Sequence, residues 1–200
     1  MSTAASRIGP TGARLAGAIG LLAVLALALQ GIASFGAGAQ PPVVPIARFF
    51  AQFALLAAVL VAACALAATL RPEGGGVLSQ PALRGAAACY TAATMVAYGM
   101  VLQLPWIASG AQVWADLGLT LIVPILYLSW WVWFAPHGGL RLVHGLAWML
   151  VPIAMLLVLE SGALRGGAIP PHVWRVPLLL LGIGMLVVLV DRVLAAMPER

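Results

Sequence analysis

Residues 49–70 read FFAQFALLAAVLVAACALAATL, with Gln52 and Thr69 the polar side chains in the run. An α-helix rises 1.5 Å per residue, so about 20 consecutive apolar residues cross the roughly 30 Å hydrocarbon core of a bilayer. Lipid offers no hydrogen bonds, and a helix satisfies its backbone N–H and C=O groups within the segment. This stretch is therefore expected to be a transmembrane helix, and it sets the solvent for the whole chain.

Five further apolar stretches surround it: Leu15–Ser34, Ala86–Ile107, Trp114–Pro136, Val143–Glu160 and Val173–Leu194. The connecting segments, such as Gly36–Pro45, Arg71–Arg84 and Gly162–Pro171, are short and rich in Gly and Pro. The expected fold is an all-α, polytopic transmembrane bundle of six helices, a single integral membrane domain over 1–200. Composition agrees. The 200 residues are 64% hydrophobic and 8% charged, against the roughly 25% charged residues of a soluble domain. Pro124 and Pro152 fall inside predicted helices, where each removes a backbone donor and is expected to kink its helix. Neighbouring groups must then satisfy the freed carbonyls. Ala54, Ala58 and Ala62 recur every four residues, and such small side chains let helices approach closely in lipid; Gly182 and Gly184 offer the same on the last helix.

Arg7 and Arg14 before the first apolar run, and Ala37-Gly38-Ala39 after it, outline a secretory signal peptide. The run of about 20 residues exceeds the usual 7–15 of such a peptide, so an uncleaved helix is expected.

All ten basic residues are arginine, net charge is +5, and neither Lys nor Asn occurs. With abundant Ala, Gly and Pro, this reads as the composition of a GC-rich genome rather than a functional signal. The arginines stand singly between apolar runs and form no stripe that could follow a phosphate backbone, which excludes nucleic acid as a partner. Six crossings place Arg7, Arg14, Arg71, Arg84, Arg141, Arg192 and Arg200 on one side and Arg48, Arg165 and Arg175 on the other. The positive-inside rule then puts both termini in the cytoplasm, with the chain in the inner (plasma) membrane. Trp106, Trp114 and Trp174 would mark the outer boundary, and Trp130, Trp131 and Trp133 the inner one.

Chemistry-bearing residues are few. Cys64 and Cys89 lack CxxC spacing and read as apolar filler. His137 and His144 lie seven positions apart with two glycines between them, an unpromising metal or haem pair, and no cofactor or metal site is expected. No HExxH, GxSxG, P-loop or GxGxxG occurs. Asp191-Arg192 reads as a boundary pair fixing the depth of the last helix. The remaining polar groups gather toward the outer helix ends: Gln30, Arg48, Gln52, Gln103, Asp116, Thr120 and Glu160. Arg48 with Gln52, and Asp116 with Thr120, share helix faces by their i, i+4 spacing. Arg48, Gln52, Gln103, Asp116, Thr120 and Glu160 are the candidate polar pocket, and Arg48 and Asp116 are expected to approach one another there. Intramembrane ionisable groups are functional candidates by default, although these lie near helix ends where water is close.

Arg48-Phe49-Phe50-Ala51-Gln52-Phe53-Ala54 resembles the opening of helix two in the androgen-induced membrane hydrolase family, in its bacterial six-helix branch. Trp114-Ala115-Asp116-Leu117-Gly118-Leu119-Thr120 through Pro124 is similar to that family's DHxxHTxxP run, and it continues through Trp130-Trp131 and Phe134-Ala135-Pro136-His137-Gly138. The resemblance covers roughly residues 45–195 and includes Asp191-Arg192. It implies hydrolysis of fatty-acid esters of hydroxy fatty acids by an intramembrane Thr and His. A Thr hydroxyl needs a base to become a nucleophile. Here the aligned Thr position holds Ala54, the two His positions hold Leu117 and Thr120, and the motif's Ser-Asn is Ala57-Ala58. The implied chemistry is absent by this alignment, and no catalytic residue can be named. The expected function is that of a non-catalytic relative binding a lipid or a partner protein in the outer polar pocket. A divergent lipid hydrolase using other residues, and a small transporter, stay open as alternatives.

Overall fold

The computed structural model describes residues 8–36, 45–101, 111–163 and 176–197. It gives side chains there except at 34–36, 45–51, 97–101, 111 and 159–163. These residues form an all-α bundle, without strands. In chain order the helices are α1 (Pro10–Gly36), α2 (Pro45–Leu70), α3 (Pro81–Val101), α4 (Ala111–Leu117), α5 (Val123–Phe134), α6 (Leu142–Ala147), α7 (Leu150–Ala163) and α8 (Val176–Ala196). Helices α4 and α5 join through Gly118–Ile122 into one rod, and α6 leads into α7 across Trp148-Met149. Four segments are long and apolar enough to cross a membrane: Pro10–Ala33, Gln52–Leu70, Gln112–Phe134 and Val176–Ala196. The protein is an integral membrane protein.

The two internal prolines are accommodated differently. At Gly118–Ile122 the helix widens into a π turn, and the Val123 N–H donates to the Gly118 carbonyl five residues back. Pro124 has no N–H and its ring crowds the carbonyl of Thr120; a wider turn just before it makes room without breaking the rod. Pro152 has a sharper effect. The helix interrupts at Trp148-Met149, and the Trp148 carbonyl, which residue 152 would normally bond, instead accepts from the Tyr90 hydroxyl of α3 at 2.8 Å. The expected demand on a neighbouring helix is met by a side chain.

Small residues bring α1 and α2 together. A Cβ at Gly20 would stand 2.8 Å from Leu66, and one at Gly17 would stand 3.2 Å from Thr69. The Thr69 hydroxyl reaches across to the Ala13 carbonyl at 2.9 Å. Ala54, Ala58 and Ala62 are all buried, as the four-residue spacing predicts. Ala58 packs with Ala26 of α1 and Leu119 of the π turn. On α8, Gly184 faces Gly145, Cys89 and Trp148, whereas Gly182 has nothing near it. Cys64 and Cys89 are buried, free thiols.

Two of the tryptophans depart from the expected belt. Trp130 and Trp131 are buried in the main core, and Trp114 and Trp133 are exposed. The Trp130 indole has a partner inside the bundle, donating to the Gly12 carbonyl of α1 at 2.8 Å, so it has no need of interfacial water. Trp106 and Trp174 lie outside the described residues. The start of α1 and the end of α5 meet at Gly12 and Phe134, and the end of α8 meets the α5–α6 loop at Gly138 and Ala195. Both terminal helices therefore have their chain-end turns at one end of the bundle, the terminal end; the opposite end is called the far end.

Candidate functional site

Two polar clusters occupy the two ends. At the far end, Gln112 of α4 uses its side-chain amide twice. Nε2 donates to Asp116 Oδ1 one turn later on the same helix at 2.8 Å, and to Gln30 Oε1 of α1 at 3.1 Å. Both amide hydrogens are thereby committed. Among the described residues no donor reaches the second carboxylate oxygen of Asp116. The Thr120 hydroxyl turns back to the Asp116 carbonyl, a bond within its own helix. A half-buried carboxylate with one oxygen held and one open can accept a hydrogen bond from an ammonium or hydroxyl group.

The candidate residues meet only in part. Asp116 and Thr120 belong to this cluster, and Gln30 joins it. Gln52 is exposed and lines an open groove of about 600 Å³ between α2 and α7, beside Leu56, Val151 and Met155. Among the described residues, none of α4 lines that groove. Gln103 lies outside the described residues, as do the side chains of Arg48 and Glu160, although their backbones belong to α2 and α7. The approach of Arg48 to Asp116 therefore lies outside them too. Gln112 is the residue that sequence reasoning missed. The available signal was its position four residues before Asp116, on the same face of one helix.

The terminal end holds the second cluster. Asp191 is 1% exposed and accepts three hydrogen bonds. The backbone N–H groups of Gly138 and Leu140 both donate to Oδ2 at 3.0 Å, and His137 Nδ1–H donates to Oδ1 at 3.1 Å. His137 Nε2 lies 3.3 Å from the Val132 carbonyl, and the Trp131 ring meets the imidazole edge-on at 5.0 Å. Gly138 has φ +89°, the left-handed conformation that lets the loop present two N–H groups to one carboxylate oxygen. Asp191 is thus no boundary residue: it ties the α5–α6 loop to α8, while Arg192 is exposed. The physical reason is rotation, since adjacent helix residues point about 100° apart and only one of the pair can face the loop.

His144 is separately occupied, its Nδ1 accepting from the Arg141 N–H at 3.0 Å. Among the described residues no group of three His, Cys, Asp or Glu side chains could hold a metal ion. Thr91 and Thr94 are buried and donate to their own helix, at Ala87 (2.7 Å) and Tyr90 (2.8 Å). Comparisons with protein-family models, curated proteins and solved structures give no match.

Proposed function

We propose that this integral membrane protein is a non-catalytic relative of the androgen-induced membrane hydrolases that holds a lipid at the far end of its bundle. The observation that carries this reading is the half-satisfied Asp116 carboxylate. Gln112, itself tied to Gln30, holds one oxygen, and the other is open among the described residues to a headgroup bearing a hydroxyl or an amine. The α2–α7 groove beside Gln52, a surface separate from the Asp116 cluster, is lined mainly by apolar side chains that an acyl chain could contact. Hydrolysis is disfavoured because Ala54, at the position of the family's Thr, has no heteroatom and is packed into the bundle. Thr120, the hydroxyl nearest Asp116 in the chain, spends its hydrogen on a carbonyl. Transport is disfavoured because Thr91 and Thr94 are satisfied within their own helix.

The topology that goes with this reading is six crossings, both termini cytoplasmic, in a bacterial inner membrane. The seven-to-three arginine bias and the shared end of α1 and α8 support it.

Native mass spectrometry of the purified protein and of Asp116→Asn tests the lipid reading. Lipid adducts with hydroxyl- or amine-bearing headgroups are expected on the wild type and should fall several-fold in the variant. Equal adducts on both would remove Asp116 from the site. Turnover of fatty-acid esters above a heat-killed control, lost on Asp116→Asn, would restore the hydrolase.

A further inference from the structure

Arg84 lies on the first turns of α3, at the terminal end, and is 4% exposed. Its carbonyl accepts from the Tyr127 hydroxyl of α5 at 3.2 Å. Its guanidinium lies within electrostatic reach of that hydroxyl and of the Cys64 thiol on α2. Phenols and thiols are ordinarily neutral at pH 7, so neither supplies a counter-charge. The described carboxylates are committed or distant: Asp191 holds the α5–α6 loop, Asp116 sits at the far end, and Glu73 is exposed. Among the described residues, Arg84 Nε is the buried side-chain polar atom left without any hydrogen-bond partner.

A guanidinium keeps its charge and presents five N–H donors in a planar fork. Enclosing Nε without an acceptor is unfavourable, and an apolar side chain of similar volume would avoid that cost. Solvent-facing arginines elsewhere at this end, such as Arg71 and Arg192, carry no such penalty. Nε and the neighbouring terminal nitrogen form one edge of the guanidinium fork, an edge that suits a tetrahedral or planar oxyanion through two parallel bonds.

We propose that Arg84 is the cation of a second binding site, between α2, α3 and α5, that takes a phosphate-type oxyanion. That phosphate is carried either by an anionic membrane lipid or by the free ion. The site is remote from Asp116 and does not depend on the far-end reading.

The test uses the full chain in nanodiscs of three kinds: phosphatidylcholine alone, phosphatidylcholine with phosphatidylglycerol, and phosphatidylcholine with added inorganic phosphate. Thermal unfolding is followed for the wild type, Arg84→Met and Arg192→Gln. The wild-type midpoint should rise by roughly 4 °C or more in the phosphatidylglycerol discs, or with inorganic phosphate if the free ion is the ligand. Arg84→Met should lose the rise, yet be at least as stable as the wild type in phosphatidylcholine alone, because it removes an unmatched charge. Arg192→Gln, an exposed arginine at the same end, should keep the rise. A wild-type midpoint that is the same in all three media overturns the proposal, and it does so even if the Met variant fails to fold. An equal rise in wild type and Arg84→Met also overturns it, since the anion would then act elsewhere.

Discussion

The Tyr90 hydroxyl stands 2.8 Å from the Trp148 carbonyl, the one backbone acceptor that Pro152 leaves without its usual donor. A proline inside an apolar helix strands the carbonyl four residues back, and lipid cannot satisfy it. Here α3 supplies the missing hydrogen. Phe53 of α2 packs edge-on against the Tyr90 ring, with centroids 5.2 Å apart, and so helps to hold the donor in place.

Tyr90→Phe should therefore lower stability by about 1–3 kcal/mol, the cost of a buried unsatisfied acceptor. Pro152→Ala restores the backbone N–H, so the same Tyr90→Phe change should cost less on that background. A double-mutant cycle by unfolding in detergent reads the coupling directly. Additive losses would show that Tyr90 does not serve the proline break.

Asp191→Ala should be more damaging than a typical surface change. It strands the Gly138 and Leu140 N–H groups and the His137 ring together, and a loss of about 3 kcal/mol is expected. Hydrogen exchange offers a local readout: the Gly138 and Leu140 amides should exchange faster in the variant, while amides in α2 change little. Arg192→Ala should leave both amides protected.

Two glycines should respond in opposite directions to alanine. A Cβ at Gly85 would stand 2.8 Å from the Trp148 ring, which is itself pinned by its Nε1 bond to the Ala82 carbonyl at 3.1 Å. Gly85→Ala should destabilise by about 1–3 kcal/mol through overpacking. Gly182 has nothing within 4 Å, so Gly182→Ala should be neutral or stabilise the helix by up to about 1 kcal/mol. Thermal unfolding midpoints of the two variants, moving in the same direction, would contradict this packing.

Reporter fusions check the topology. A cytoplasm-active reporter at the C-terminus should give signal and a periplasm-active one should not. The reverse pattern would place the arginine-rich side outside, and a mature chain shortened after Ala39 would mean that the first segment is removed.

The all-α membrane class was legible in the sequence because lipid imposes a simple demand. Any segment that crosses must be apolar for about 20 residues and helical, and that can be read one residue at a time. The alanine spacing on α2 was legible for the same reason, since small side chains are what close approach needs. Helix rotation was not. In water a polar face marks the outside of a helix, whereas here both lipid-facing and core-facing surfaces are apolar. The sequence therefore could not say that Trp130 and Trp131 turn inward, that Asp191 faces a loop while Arg192 does not, or that Gln112 links Asp116 to Gln30. Nor could it say that Arg84 is enclosed while Arg71 is exposed. Those outcomes depend on which faces meet across 40 to 120 residues of chain, as with Tyr90 and Trp148 or Trp130 and Gly12. Only close packing decides them, because a hydrogen bond between helices forms or fails over less than an ångström.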